Sequence, residues 1–441
     1  QSFRDLDLQG SYWNMADMEK QANSLEQILK AKSQGFASNK ELSYKDIQQQ
    51  LKADEAAITI IKEDQTLSDT SYITEYVALV LKKTDAFPTL IRIASSNDFE
   101  TTYVNEYINH MYDRVEDADS YNRFWKPIAA KLQGITKVYL SADGVYNQVN
   151  LYTLQNPVTK KYVLDEVNVS VLPNLSYMLN DTKSNTQHSA ELYGFPDYDY
   201  DFSKKVSMPV ASEPLASSRY GLFKLVPLPG TKIEVENIAQ FLQNTKWNVN
   251  MYQKELASEE QLKKTVSPKV LHIATHGYFL KDIYDREDKS FLGFEEYKIK
   301  NNLLLQSGIM LAGASKSAKD TTNSVAQDGI FTAYEASLLN LSNTDLVVLS
   351  ACETGLGQDM NNQGVFGLQR AFYIAGAKNL IMSLWSVDDD ATQILMTEFY
   401  KEWSVNPTQE LIAKAFNKAQ REVRKKYPHP YYWGAFVLLG N

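Results

Sequence analysis

Beyond about residue 190, short apolar runs alternate with longer stretches in which apolar positions recur every three to four residues. The short runs have the length and β-branched composition of strands, and the longer stretches have the period of helices. Strands are predicted at Glu191–Phe195, Trp247–Tyr252, Val270–Thr275, Asp345–Ala351, Asn379–Leu384 and Ala435–Leu439. Helices are predicted at about 231–243, 257–265, 330–340, 364–375, 389–403 and 408–426. This alternation predicts an α/β fold with a mostly parallel sheet and helices on both faces.

Between about residues 55 and 175 the pattern is richer in strands. These are predicted at Ala57–Ile61, Tyr72–Leu81, Leu90–Ala94, Val138–Ser141 and Val163–Leu172, with helices at Phe99–Asp117 and Asp119–Leu132. Asp143-Gly144 is a turn signal, which we interpret as lying between two strands. This region reads as a complete α/β unit without any reactive group of residues.

Polar stretches divide the chain into three predicted regions. Residues 1–50 have apolar positions at helical spacing and predict a helical N-terminal remnant. The turn-forming stretch 181–189 marks a boundary between regions 51–185 and 186–441. The Ser/Thr/Lys-rich stretch 313–327 and the charged stretch 281–290 are predicted to be exposed loops.

Composition and charge narrow the function. The chain of 441 residues has 44% hydrophobic and 22% charged residues and a net charge of -9. An acidic surface repels nucleic acids and anionic membranes, so neither is an expected partner. No apolar run approaches the ~20 residues that span a bilayer. The single cysteine cannot form an internal disulfide, which favours a reducing, cytoplasmic setting.

Two predicted strands end at residues that could react together. Val270–Thr275 runs directly into His276, and Asp345–Ala351 runs directly into Cys352. If these strands are neighbours in a parallel sheet, both side chains emerge at the same edge. A lone cysteine is more often a small buried residue, but an adjacent imidazole would favour its thiolate, which is the attacking species. The backbone N–H of Gly277, with that of Cys352, would then stabilise an oxyanion.

The sequence around these residues resembles that of a known family. HIATHG at 272–277 and LSACETG at 349–355 resemble the hallmark segments of the CHAT family of caspase-like domains. The similarity continues through GVFGLQRAFYIAG, SLWSVDDDAT and the terminal YWGAFVLLG, and it covers roughly residues 50–441. The resemblance implies a caspase-like cysteine peptidase preceded by a degenerate caspase-like unit. Because the family often occurs with tetratricopeptide repeats, it also implies a regulatory or repeat-containing partner.

The resemblance does not carry caspase specificity with it. Glu353 follows the cysteine where caspases have a basic or neutral residue, and 76 residues separate His276 from Cys352 instead of ~50. Relatives that cleave after Arg or Lys line the first specificity pocket with acidic residues. The candidates here are Asp388, Asp389 and, more weakly, Asp197. Helix capping is the competing interpretation for at least one residue of Asp388–Asp390.

Other chemistries lack a signature in the sequence. There is no phosphate-binding loop, dinucleotide-binding motif, zinc-protease motif or nucleophile elbow, and neither a metal nor a cofactor is expected. His272, inside a predicted strand, is expected to form hydrogen bonds in the core. The leading hypothesis is an endopeptidase that cleaves protein substrates after Arg or Lys. The alternatives are a catalytically silent scaffold for protein assembly and a thiol-dependent acyltransferase.

Overall fold

The computed structural model describes residues 43–68, 71–179, 185–202, 225–279, 290–291, 294–295, 303–317, 328–351, 358–359, 365–386 and 388–440. Residues Ile47–Asn441 form one compact unit. The N-terminal helical prediction for 1–50 falls largely on residues 1–42, outside this set. Cys352 and most of the predicted loops 281–290 and 313–327 also lie outside it.

One large sheet organises the described structure. In chain order its strands are β1 Glu55–Ser68, β2 Ser71–Lys82, β3 Thr89–Ser95, β4 Lys137–Ala142, β5 Asn168–Val171, β6 Ser189–Pro196, β7 Asn248–Lys254, β8 Val270–Ala274, β14 Leu346–Ser350, β17 Leu380–Ser383 and β18 Phe436–Leu439. A smaller sheet joins β9 Gly277–Phe279, β12 Ser307–Met310 and β13 Ile330–Thr332. Two short hairpins pair β10 Ser290–Phe291 with β11 Phe294–Glu295, and β15 Gln358–Asp359 with β16 Val365–Phe366.

The eleven strands of the large sheet lie in the order β3-β2-β1-β4-β5-β18-β17-β14-β8-β6-β7. Strands β6, β7, β8, β14 and β17 are mutually parallel, and so are β1, β4, β5 and β18. The two groups meet at the antiparallel pair β17–β18. The parallel strands of the N-terminal half therefore point their carboxyl ends at the opposite edge from those of the C-terminal half.

Helices cover both faces of this sheet. The described helices are α1 Tyr44–Gln50, α2 Thr102–Asp113, α3 Lys126–Ala129, α4 Val163–Glu166, α5 Pro229–Asn244, α6 Glu259–Lys263, α7 Ala314–Ser317, α8 Ala333–Ala336, α9 Leu368–Ile374, α10 Asp389–Trp403, α11 Gln409–Lys426 and α12 Pro430–Trp433. Short 3₁₀ turns occur at Asn97–Phe99, Gly144–Asn147, Leu151–Thr153, Leu175–Leu179 and Leu303–Leu305, and a π turn occurs at Tyr121–Trp125. None of the described helices is long and apolar enough to cross a membrane.

Alternation along the central strands builds the two halves of the core. Val348 of β14 faces a cluster that contains apolar residues of α5, α10 and α11. Its neighbours Val347 and Leu349 face a second cluster, formed with α6, α8 and α9. Because successive side chains point to opposite faces, a strand buried on both sides must be apolar throughout. The predicted fold class, α/β with a mostly parallel sheet and helices on both faces, is confirmed.

Three local predictions are wrong. Val163–Leu172 was expected to be one strand, but it begins as helix α4 and becomes strand β5 only at Asn168. Asp143-Gly144 does not join two strands, since β4 continues into the 3₁₀ turn Gly144–Asn147. The stretch 313–327 is predicted to be an exposed loop, but in its described part Ala314 is 1% exposed, packs beside Tyr198 and begins helix α7. Isolated apolar residues in a polar stretch hide such anchoring.

A buried ionic cluster lies at the amino ends of β8, β14 and β17. The carboxylate of Asp345, 0% exposed, accepts hydrogen bonds from Lys269 Nζ at 2.9 Å and Lys378 Nζ at 2.8 Å. Gln409 Nε2 donates to Asp345 at 3.1 Å, and the backbone N–H of Asn185 donates to it as well. One carboxylate thus joins β8 and β17, the two neighbours of β14, to helix α11.

A second acidic group holds the small sheet. The carboxylate of Glu259, at the start of α6, accepts the backbone N–H of Gly329 next to β13 and pairs with Lys263 at 2.7 Å. Burial, reinforced by the negative charge of Asp328, raises the pKa of Glu259 to about 7, and Lys263 opposes this rise. Glu335 also contributes negative charge and shares Lys263.

This raised pKa predicts a pH dependence of stability. The folded chain holds a proton on Glu259 up to about pH 7, whereas the unfolded chain loses it near the ordinary value of 4.5. The free energy of unfolding should therefore fall as pH rises from 4.5 to 7, by about 3 kcal/mol from this group. Urea unfolding across this range should show a shallower fall in Glu259→Gln. The adjacent exposed Glu260→Gln is the control, and equal slopes in the two variants would contradict the prediction.

Candidate active site

The candidate site begins where two central strands end. β8 and β14 are parallel neighbours, with Ala274 opposite Ser350. The backbone N–H of Thr275 donates to Ser350 O at 3.2 Å, so the pairing extends one residue beyond β8. His276 is the next residue after Thr275. Cys352 follows Ala351 in the sequence and lies outside the described residues, so its distance from His276 stays a prediction.

His276 is half-buried, and its ring is held on two sides. Nε2 lies 2.8 Å from the backbone carbonyl oxygen of Val226, and the ring of Tyr198 packs against it at 5.3 Å between centroids. A carbonyl oxygen can only accept, so Nε2 must carry the hydrogen. The neutral ring then has its lone pair on Nδ1, to which none of the described residues donates. This tautomer leaves Nδ1 as the proton acceptor.

Tyr198 is fixed by its own contacts. Its hydroxyl lies 2.9 Å from Thr275 Oγ1, and burial raises its pKa to about 12. Its backbone carbonyl accepts from the N–H of Ser315 at 2.9 Å, and that of the preceding Asp197 accepts from Gly313 at 3.0 Å. The loop after β6 is therefore tied to the segment after β12, which positions the tyrosine ring against His276.

A buried polar network lies beneath the same strand ends. His272, 0% exposed, contacts Glu234 Oε1 through Nε2 at 3.0 Å and the hydroxyl of Tyr400 through Nδ1 at 3.1 Å. Ser350 Oγ donates to the other oxygen of Glu234 at 3.1 Å. The prediction of a core hydrogen-bonding role for His272 is confirmed. Glu234 thereby links helix α5 to both β8 and β14, two residues before Cys352.

The acidic candidates occupy different environments. Asp388 caps helix α10, because its carboxylate accepts the N–H of Ala391 at 3.0 Å; the capping interpretation is confirmed for this residue. Asp390 pairs with Lys426 at 2.7 Å and with the hydroxyl of Tyr427. Asp389 is exposed, and none of the described residues pairs with its carboxylate. A Cβ built on Gly230 would lie 3.3 Å from Asp389 Oδ2, which places this carboxylate beside the start of α5.

Asp197 precedes Tyr198, whose ring packs against His276, and Gly277 directly follows His276 in the sequence. The exposed carboxylate of Asp197 accepts the N–H of Asp199 at 3.2 Å, a local turn contact. Gly277, the predicted oxyanion donor, opens β9 and lies opposite Ile309 of β12. Among the described residues no three His, Cys, Asp or Glu side chains are grouped so that they could hold a metal ion.

A match to a family model decides the family of this chain. The model of the CHAT domain matches residues 120–441, well over half of the chain. The chain belongs to the CHAT-domain family. Tetratricopeptide repeat protein 28 of mouse is 31% identical over 109 residues, which are 24% of this CHAT chain and 4% of that protein. The chain therefore spans a small part of this curated relative.

Two solved structures are similar to the CHAT chain at low sequence identity. The Arg-specific cysteine proteinase gingipain R is 8% identical, with a TM-score of 0.38, over 78% of this chain and 68% of that one. Separase in the Saccharomyces cerevisiae separase–securin complex is 9% identical, with a TM-score of 0.48, over 89% of this chain and 30% of that one.

Sequence reasoning missed two residues that contact His276, Val226 and Tyr198, and a third, Glu234, that contacts His272 in the network beneath the strand ends. Val226 contributes only a backbone carbonyl, so its side chain carries no signal. Tyr198 stands in the stretch DYDYD, where an aromatic residue among acids reads as a surface loop. Glu234 does leave a signal, since it falls on the apolar face of α5 between the buried Thr231 and Val235. A charged residue at such a position must have a buried partner.

Proposed function

We propose that this CHAT-domain chain is a cysteine endopeptidase in which Cys352 is the nucleophile and His276 its general base. The observation that carries the proposal is the hydrogen bond from His276 Nε2 to the carbonyl of Val226. It orients the ring and makes Nδ1 the nitrogen that can accept a proton, at the end of the strand next to the one that leads into Cys352. Nucleophile, base and an orienting third group make up a catalytic arrangement of this class.

The reaction proceeds in two halves. His276 Nδ1 takes the thiol proton, and Sγ of Cys352 attacks the peptide carbonyl carbon while the N–H groups of Gly277 and Cys352 stabilise the oxyanion. The C–N bond breaks, the leaving amine takes the proton from His276, and a thioester remains. Water then loses a proton to His276 and attacks the thioester. This step releases the carboxylic acid product and restores the thiol.

Selectivity for Arg or Lys would come from acidic residues at the same edge. Asp388 and Asp390 already have partners, so Asp389 is the best candidate of the three. It lies beside Gly230, four residues after the Val226 carbonyl that holds His276. Asp197 precedes Tyr198, which packs against the ring from the other side. A carboxylate in a partly dehydrated pocket favours a cationic side chain. Its two oxygens can accept two parallel hydrogen bonds from a guanidinium, which favours Arg over Lys.

A peptide panel tests this selectivity. Fluorogenic substrates that differ only at the residue before the cleaved bond should be cut best with Arg, then Lys, and hardly at all with Asp. Asp389→Asn should lower kcat/KM for the Arg substrate by about tenfold or more, because a charged hydrogen bond is lost. Asp197→Asn measures the contribution of the other side of the site.

Asp390→Asn is the matched control, since it makes the same chemical change one residue further along, on a carboxylate already paired with Lys426. Its kcat/KM should match that of the unaltered chain. A preference for Asp or for a large apolar residue in the panel would reject the acidic pocket without affecting the catalytic pair.

A scaffold without catalysis is the competing function, and chemical labelling distinguishes it. A chloromethyl ketone on a basic peptide should alkylate Cys352 of the native chain, detected as one added mass, and should alkylate His276→Ala far more slowly. Equal, slow labelling of both would favour the scaffold. An acyltransferase would be labelled in the same way as a peptidase. Only analysis of the products formed with an added amine acceptor distinguishes these two enzymes.

The family and the composition indicate which substrates, partners and cellular setting to expect. Protein substrates, and a regulatory partner or region with tetratricopeptide repeats, fit the family and the named relative. The single cysteine suits a reducing, cytoplasmic setting. The acidic net charge disfavours binding of nucleic acid or anionic membrane.

A further inference from the structure

Among the residues that the structure describes, the imidazole of His276 makes one hydrogen bond, from Nε2 to the carbonyl oxygen of Val226. This bond lies at the surface, where water competes with it. A carbonyl oxygen also accepts hydrogen bonds over a broad range of directions, so a single bond does not fix the tilt of the ring. A second contact is needed to hold the imidazole in one orientation.

Tyr198 supplies that contact from the loop after β6. Its ring packs against the imidazole, with 5.3 Å between the centroids and 43° between the planes. Tyr198 is only 3% exposed, and close packing leaves such a ring little room to move aside. An aromatic ring within about 6 Å also attracts a cation, which favours the imidazolium that forms when His276 takes a proton.

The hydroxyl of Tyr198 fixes the tyrosine to the chain that carries the imidazole. It lies 2.9 Å from Thr275 Oγ1, whose own hydrogen is donated to Met310 O. Because a threonine hydroxyl carries one hydrogen, Tyr198 must be the donor to Thr275. Burial raises the pKa of Tyr198 to about 12, and the Thr275 hydroxyl and the backbone N–H of His276 oppose this rise. The phenol hydroxyl is therefore close to the main chain of both residues.

Strand β12 and the segment after it hold the histidine and the tyrosine together. The N–H of Met310 donates to His276 O at 2.8 Å, and the N–H of Ser315 donates to Tyr198 O at 2.9 Å. Because both residues are bonded to the same short stretch of chain, 310–315, their rings keep a fixed relation to each other.

We propose that Tyr198 is the positioning residue of the base, which holds the imidazole of His276 in the orientation that makes Nδ1 the proton acceptor. This inference rests on the proposed function, because it assigns Tyr198 a role in that reaction. Tyr198 acts through His276, so its loss should slow the chemical step more than it weakens substrate binding. A misplacement of about 1 Å near a reacting group costs about 10²-fold in rate.

Substitution of Tyr198 tests this role in the kinetics. Tyr198→Leu removes the ring and the hydroxyl, and it should lower kcat about 100-fold with KM for the best substrate of the peptide panel nearly unchanged. Tyr198→Phe keeps the ring and should lower kcat only about fivefold, through the lost hydrogen bond. If Tyr198→Leu does not fold, Tyr198→Met replaces it, because its longer, adaptable side chain fills more of the buried space.

Tyr200→Leu and Tyr200→Phe are the matched controls. Tyr200 lies two residues further along the same loop and packs against Phe202, with centroids 4.8 Å apart. Both variants should leave kcat and KM unchanged. A loss of kcat in Tyr198→Phe as large as that in Tyr198→Leu would contradict the role of the ring.

Nuclear magnetic resonance of the histidine ring nitrogens tests the orientation without any cleavage. The chain has five histidines, and comparison with His276→Ala assigns the signals of His276. At mildly alkaline pH the native chain should show the tautomer with hydrogen on Nε2, and Tyr198→Leu should show a mixture of both tautomers.

Native kcat in Tyr198→Leu, or an unchanged single tautomer in that variant, would overturn the proposal. A native chain that cleaves no peptide but loses its single tautomer in Tyr198→Leu would reject the peptidase assignment and support the role of Tyr198 in orienting His276.

Discussion

Replacing Cys352 by alanine should abolish peptide cleavage, and His276→Ala should lower its rate by several orders of magnitude. Without the thiol no acyl-enzyme can form, and without the imidazole the thiol stays protonated at neutral pH, because its ordinary pKa is ~8.5. The measurement is kcat/KM on the best substrate of the peptide panel. Circular dichroism and the thermal midpoint should match those of the native chain.

His188→Ala is the matched control for His276→Ala. His188 is exposed and stacks on Trp247 beside the start of β7, with centroids 5.1 Å apart. It lies just before β6, whose other end carries the loop to Tyr198, so its loss should leave kcat/KM unchanged. Near-native activity in either Cys352→Ala or His276→Ala would reject the proposed mechanism.

Asp345→Ala should be the most destabilising single substitution among those considered. It removes the carboxylate that two buried or half-buried lysines share, and it leaves Lys269, 2% exposed, without its ionic partner. Breaking a buried ion pair from one side costs about 3–5 kcal/mol, because the remaining charge stays desolvated. Urea unfolding of the purified chain measures this loss.

The comparison variant for Asp345→Ala is Glu260→Ala, which removes an exposed carboxylate paired with Lys264 at 2.8 Å. Its unfolding midpoint should change little, since exposed pairs contribute little to stability. If Asp345→Ala unfolded at the same urea concentration as Glu260→Ala, the cluster would have no stabilising role.

The sequence predicted the central strands well for a physical reason. Val270–Ala274 and Leu346–Ser350 are buried on both faces, so nearly every position in them must be apolar, and such runs are visible without a structure. Because β8 and β14 directly precede His276 and Cys352, the neighbouring strand ends could be anticipated. Their parallel pairing with Ala274 opposite Ser350 is what the structure adds.

Other parts leave no readable pattern. Strands β9 and β13 have three residues each, too few for any periodicity, and they are held by pairing with β12. The carbonyl of Val226 reaches His276 from 50 residues away, through backbone that any residue would provide. Helix α4 begins at Val163, a β-branched residue whose intrinsic preference is for a strand, so the sequence predicted the wrong element there. For the short strands and for His276 the deciding contact is distant in sequence.

The junction at β18 determines how this chain can be divided. β18 has β17 on one side and β5 on the other, and Gly440 N–H donates to Val171 O at 2.7 Å. Asn150 Nδ2 also donates to Gly434 O across the same junction at 2.7 Å. A fragment starting at residue 186 would lack β5 and leave the backbone groups on that edge of β18 unpaired. Unpaired strand edges tend to pair with other chains. Such a fragment should self-associate, so the C-terminal half is best studied with the N-terminal half still attached.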